Sequence, residues 1–146
     1  MPVLPLFPRP LACSLLLAAT VASATQPVNA SLRDTRWSLR ALDGSAVAQP
    51  SNGEQVHLQF KAGSQHLAGF GGCNRLAGRL TQRGTELALS ARAATRKACA
   101  PPQVQTEARL LRALGGIDAY RVEGEVLSLM QGGTVRATFA VASGPP

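Results

Sequence analysis

A chain of 146 residues has room for one domain and little else. Its formal charge of +7 attracts anionic partners such as lipid head groups, lipopolysaccharide or nucleic acid, yet the cations are scattered singly and form no block. One Trp and one Tyr leave almost nothing to stack on bases, so composition argues against nucleic acid and for a solvated basic surface.

Arg9 is the only charge before residue 33, and an apolar run over residues 11–21 follows it. Ala22-Ser23-Ala24 comes next. A basic start, a short apolar stretch and small residues at a cleavage site form, in that order, a secretory signal peptide. Cleavage is expected after Ala24, with Ala30 as the weaker alternative. The apolar run is shorter than the about 20 residues a spanning helix needs, and no later segment is apolar enough to cross a membrane. Leu11-Ala12-Cys13 resembles the end of a lipoprotein signal, but there the apolar run precedes the cysteine, whereas here it follows Cys13. Lipidation at Cys13 is therefore disfavoured, and the expected location is periplasmic or secreted. Losing residues 1–24 removes Arg9 and leaves 14 cations against eight acids, a formal charge of +6.

Residues 25–33 read as a flexible lead-in. The first strand is predicted over 35–42, where Trp37, Leu39 and Ala41 alternate with Arg36, Ser38 and Arg40. Asp43-Gly44 opens a loop that runs past Pro50. Val56, Leu58 and Phe60 line one face of the next strand, with His57, Gln59 and Lys61 on the other. Residues 65–70 form a third strand, ending in a Gly71-Gly72 turn that presents Cys73. Leu76, Gly78 and Leu80 then face inward, and Arg83-Gly84 turns the chain into a strand at 86–89. One helix is predicted. It starts at Pro101-Pro102, where proline's missing N–H costs nothing, and stops at Gly115-Gly116. Its apolar stripe is read as Val104, Ala108, Leu111 and Leu114 or Gly115, widened by Leu110; Glu107, Arg109 and Arg112 take the wetter side. Strands over 119–122, 126–130 and 134–141 complete the chain, with turns at Glu123-Gly124-Glu125 and Gln131-Gly132-Gly133.

About seven or eight short strands and a single helix predict an α+β, mainly β fold. The expected architecture is an antiparallel, partly open β-barrel-like sheet, with the packed helix over an open edge or mouth. The domain is expected over 34–141, between the leader (1–24), the lead-in (25–33) and a flexible tail (142–146).

Discarding Cys13 with the leader leaves Cys73 and Cys99, which allow a single bridge. In an oxidising compartment such a bridge, closing a loop of about 26 residues, adds roughly 3–4 kcal/mol in the chain-entropy model. Two competing readings stay open: two separate buried thiols, or a metal site recruiting His57 and His66 beside the thiolates. The spacing matches no standard zinc pattern, and both histidines are placed on a solvent face or sheet rim.

Several strings together resemble one family. They are Trp37-x-Leu39, Phe60 ahead of the glycine-rich segment, Gly72-Cys73-Asn74-Arg75 with Gly78, and Thr95-Arg96-x-x-Cys99. Glu107 with Leu110, Leu111 and Leu114, and Leu127-x-Leu129, extend the match over about residues 32–140. In these features the chain is similar to the META domain, or HslJ-like, family. Lys97-Ala98 departs from it, since members often carry methionine there. The resemblance implies an antiparallel, partly open β-barrel with a helix and a bacterial envelope location. Some relatives look like heat-inducible or outer-membrane lipoproteins linked to drug tolerance, others are associated with virulence in protozoan parasites, and the architecture resembles lipid-binding pilot proteins of secretion systems. It implies no catalytic chemistry.

The residues suggest none either. His57 and His66 are the only histidines, and no Gly-x-Ser-x-Gly elbow accompanies them. Cys73 activated by Arg75 as a nucleophile competes with the bridge. The acids form no metal loop, and Gly71-Gly72 is too short for a phosphate cradle. The expectation is no catalytic residue, no metal and no cofactor. Asn74 suits a tight corner beside the bridge, and Asn74 with Arg75 is the candidate rim contact for a partner. The leading functional expectation is a non-enzymatic envelope protein that stabilises or binds an envelope protein or apolar ligand under stress. The alternatives are a carrier holding an acyl chain or other apolar ligand inside the barrel, and a secreted β-barrel inhibitor of proteases.

Overall fold

The structure, a computed structural model, describes residues 1–5, 26, 28–50 and 53–144. The leader's apolar run, Cys13 and the cleavage site at Ala24 lie outside the described residues. No described helix is long and apolar enough to cross a membrane.

Among the described residues nine strands and one helix follow in chain order: β1 Arg36–Leu42, β2 Ser45–Ala46, β3 His57–Phe60, β4 His66–Phe70, β5 Arg75–Arg83, β6 Glu86–Ala93, α1 Pro101–Leu114, β7 Ala119–Glu123, β8 Val126–Gln131 and β9 Thr134–Val141. They form one antiparallel sheet in the order β2-β1-β3-β4-β5-β6-β7-β8-β9, and β1 also pairs with β9, so the sheet closes into a ring with β2 as a short flap. The expected mainly β, antiparallel architecture with one helix is what forms.

The alternation read from the sequence sets the interior. Trp37, Leu39, Leu58, Phe60, Leu127 and Phe139 are all fully buried inside the ring. Ser38 and His57, read on the outer faces of their strands, are buried, and Ala41 departs from the pattern in the opposite sense. A register shift between Leu39 and Ala41 opposite β9 inserts a bulge, so Leu42 and not Ala41 reaches the core. The turns follow glycine. Gly132 and Gly133 both sit at positive φ between β8 and β9. Asp43-Gly44 does the same between β1 and β2, giving a tight hairpin where a long loop is expected.

Two further corrections concern the chain ends of the expected elements. Residues 29–32 of the lead-in are anchored. Ala30 N–H donates to the Gly124 carbonyl (2.8 Å), Gly124 N–H to Asn29 Oδ1 (2.7 Å), and the buried Trp37 indole to the Leu32 carbonyl (3.1 Å). Asn29 and Ala30 are thus held to the turn between β7 and β8. The helix is also rotated from its predicted phase: Glu107, Leu110, Ala113 and Leu114 are buried, while Val104 and Ala108 are exposed. A buried carboxylate at Glu107 sets this phase, and its partners lie across the sheet.

Candidate functional site

The residues singled out by sequence converge on the corner between β4 and β5. Phe70 pairs with Arg75, and the four residues between them reverse the chain, with Gly71 N–H donating to the Asn74 carbonyl (2.9 Å). Gly72 holds φ at +111°, a conformation that disfavours any side chain. Gly71 is required for a different reason. A Cβ there would lie 2.6 Å from Glu107 Cγ and 2.7 Å from its Oε2. The corner therefore fits directly against the helix.

Glu107 is the hub of that contact. Its Oε2 accepts from the backbone N–H groups of Cys73 (3.2 Å) and Asn74 (2.5 Å), and its Oε1 accepts from Asn74 Nδ2 (2.8 Å). Asn74 Oδ1 in turn accepts from Thr95 Oγ1 (3.0 Å) and Lys97 N–H (2.7 Å), and Thr95 Oγ1 accepts from Arg75 N–H (3.0 Å). The bonds accepted by the Glu107 carboxylate belong to the charge-assisted class, among the stronger ones in proteins. The Cys73–Cys99 disulfide, with Cα atoms 5.8 Å apart, ties the corner to the segment just before α1. That resolves the cysteine alternatives in favour of the bridge. Two bridged sulfurs supply no thiolate, so the metal reading loses its soft ligands. Among the described residues no group of three or more His, Cys, Asp or Glu converges.

The corner is buried chemistry, with both sulfurs and every polar atom of the Asn74 side chain engaged. Asn74, named as a rim contact, is buried, and its side chain is held from three sides. Arg75, its companion, is exposed, with its guanidinium 5.6 Å from the Phe70 ring centroid. Trp37 and Gly78 lie elsewhere in the sheet. Trp37 is in the core, and a Cβ on Gly78 would collide with the Ser90 carbonyl oxygen and approach Ala91 Cα to 2.9 Å, so glycine lets β5 and β6 come together.

A second cluster beside the corner escaped the sequence reading. Glu54 Oε1 accepts from Arg75 Nη1 (2.5 Å) and Arg36 Nη2 (3.3 Å), and His57 Nδ1 stands 3.7 Å away. His57 is buried, contrary to its expected exposure, because Glu54 and Arg36 cover its face of β3. Its Nδ1 lies 2.9 Å from the Gln55 carbonyl, to which it donates. Burial, reinforced by the nearby Arg36 and Arg75 charges, holds the His57 imidazole below its ordinary value against the opposing pull of that hydrogen bond and of Glu54. Partial burial pushes the Glu54 carboxyl up, but the Arg75 hydrogen bond and the charges of Arg75, His57 and Arg36 together outweigh it and leave the group below its ordinary value. Only the spacing of Glu54 three residues before His57 hints at this pair in the sequence.

Comparison with known proteins agrees with the geometry. The META domain profile matches residues 30–144, which include the anchored segment at Ala30. A solved bacterial structure, the NMR structure of a protein from Burkholderia xenovorans, aligns at 31% identity with a TM-score of 0.61, covering 77% of this chain and 85% of that one. A second NMR structure aligns at 17% identity with a TM-score of 0.57, covering 75% of this chain and 91% of that one, and shares the fold. No curated protein matches the chain.

Proposed function

The chain belongs to the META domain family, and from that premise we propose that it is a non-enzymatic, exported protein of the bacterial cell envelope that acts by binding, in tolerance of stress or drugs. One observation carries the non-enzymatic part. Five of the motif residues, Cys73, Asn74, Thr95, Cys99 and Glu107, hydrogen-bond or bridge to one another and thereby lock a corner. A catalytic set instead keeps a nucleophile or base facing substrate.

Three features support export. Arg9, the apolar run and Ala22-Ser23-Ala24 form a leader. A bridge between the two remaining cysteines suits an oxidising compartment. Cleavage after Ala24 spares the bonds between residues 29–30 and Gly124, whereas cleavage after Ala30 removes them. The carrier alternative fares worse, because the ring interior is filled by Trp37, Phe60, Phe139 and leucines. The test is fractionation of the producing bacterium with intact-mass measurement, followed by challenge of a deletion strain with heat and antibiotics. A periplasmic protein starting at Thr25, and a deletion strain that is more sensitive, are expected. A cytoplasmic protein retaining residues 1–24 overturns the reading.

A further inference from the structure

The ring is interrupted in one place. β6 and β7 share a single register pair, Glu86 with Ala119, while β6 runs on to Ala93. Backbone direction alternates along a strand without bulges, and the register of β6 on β5 is continuous from Glu86 to Ala93. Leu87 N–H donates to the Asp118 carbonyl on the β7 side, and Ala94 N–H to the Arg75 carbonyl on the β5 side. The N–H and C=O groups of Leu89, Ala91 and Ala93 therefore point to the side that β7 has left. Among the described residues none of them has a hydrogen-bond partner there. A depression of about 580 Å3 opens beside this edge, walled by residues 89–92 and the helix-end Gly115 and, across the sheet, by β4 and β5 residues including His66 and Arg79.

Charge selects what fits. Residues 89–100 carry Arg92, Arg96 and Lys97 and no acid, and all three cations are exposed. None is ion-paired among the described residues. An unpaired strand edge is a template for another strand, and cations along it repel a second copy of the same edge. We propose that the open edge of β6, residues 89–93, takes up an extended, acidic segment of another protein as an added strand. This names the partner class for the binding role above and rests on that reading. Leu89, Ala91 and Ala93 supply the backbone bonds. Acidic side chains of the incoming strand face the Arg92 side of the sheet, and small apolar ones lie over Ala91 beside Gly115.

The test uses the exported protein and two fluorescein-labelled peptides of equal charge, one alternating Val and Glu, the other alternating Pro and Glu. The Val–Glu peptide is expected to bind about tenfold tighter or more, because its partner lacks the N–H groups a ladder needs. Ala91→Pro removes an outward N–H without touching the β5 ladder, and is expected to abolish the difference. Amide exchange on the unmodified protein guards against a variant that misfolds. Saturating Val–Glu peptide slows exchange at Leu89, Ala91 and Ala93 by about tenfold or more and leaves Ser90 and Arg92 unchanged. Equal binding of the two peptides, or no added protection at those three amides, overturns the proposal. So does the same protection arising without peptide as protein concentration rises, which makes a second copy the occupant. Localisation does not enter this measurement, so failure here leaves the envelope reading standing.

Discussion

At the scale of single residues, Glu107 is the group on which the corner depends. Both of its oxygens face donors, so an amide of the same shape must turn its NH2 toward an N–H whichever way it is placed. Glu107→Gln therefore leaves buried donors unpaired without creating a cavity. It is expected to cost about 1–3 kcal/mol, read as a lower urea midpoint at unchanged slope. Acid acts on the neighbouring cluster. His57 is depressed in the folded state, so its contribution is fully present above 6.5 and is lost as pH falls from there through the folded value. Glu54 is also depressed, and its contribution is present above 4.5 and lost below it. Melting curves followed by the buried Trp37 are expected to shift down between pH 7 and 5, roughly the first of these windows. His57→Gln is expected to flatten that shift, and an unchanged slope in the variant assigns the loss to other groups.

At the scale of elements, α1 shows where periodicity stops informing. Its limits were legible, since Pro101-Pro102 and Gly115-Gly116 bracket the helix by local backbone preference. Its phase was not. A 3.6-residue stripe places apolar residues inside and acids outside, whereas Glu107 is buried by donors 33 and 34 residues away in sequence. His57 misleads in the same way, being covered by a carboxylate and a guanidinium that the alternation of β3 does not register. The strands were easier because alternation is intrinsic to each, and a partly open barrel-like sheet followed from their number; alternation gives no partners, so neither the pairing of β1 with β9 nor the place of the gap beside β6 was readable. The corrected phase is directly testable. Leu110→Ala is expected to cost about 2–5 kcal/mol and Val104→Ala less than about 0.5, measured by denaturant titration. Comparable losses at the two sites restore the phase read from sequence.

At the scale of the whole molecule, the disulfide and the hydrogen-bonded corner act on different states. The Glu107 network stabilises the folded chain, whereas the Cys73–Cys99 link, spanning 26 residues, chiefly restricts the unfolded one. Reduction is expected to remove about 3–4 kcal/mol while the fold, if it survives, keeps its amide protection at Cys73 and Asn74. Loss of that protection in a reduced but still folded protein makes the bridge, and not Glu107, what holds the corner. Stability of a small domain totals about 5–15 kcal/mol, so reduction removes a large share of it.

The pairing of β1 with β9 gives the chain a check on its own completeness. A polypeptide emerges N-terminus first, from a ribosome or through a membrane channel, so Trp37 and Leu39 wait for Phe139 and Val141 near the far end. Cys73 and Cys99 are both out before then and can join on an unfinished sheet. A chain stalled or clipped before β9 has no strand to cover Trp37, and it displays that indole and its leucine neighbours to whatever proteases patrol the compartment. Only a chain that includes β9 withdraws the signal.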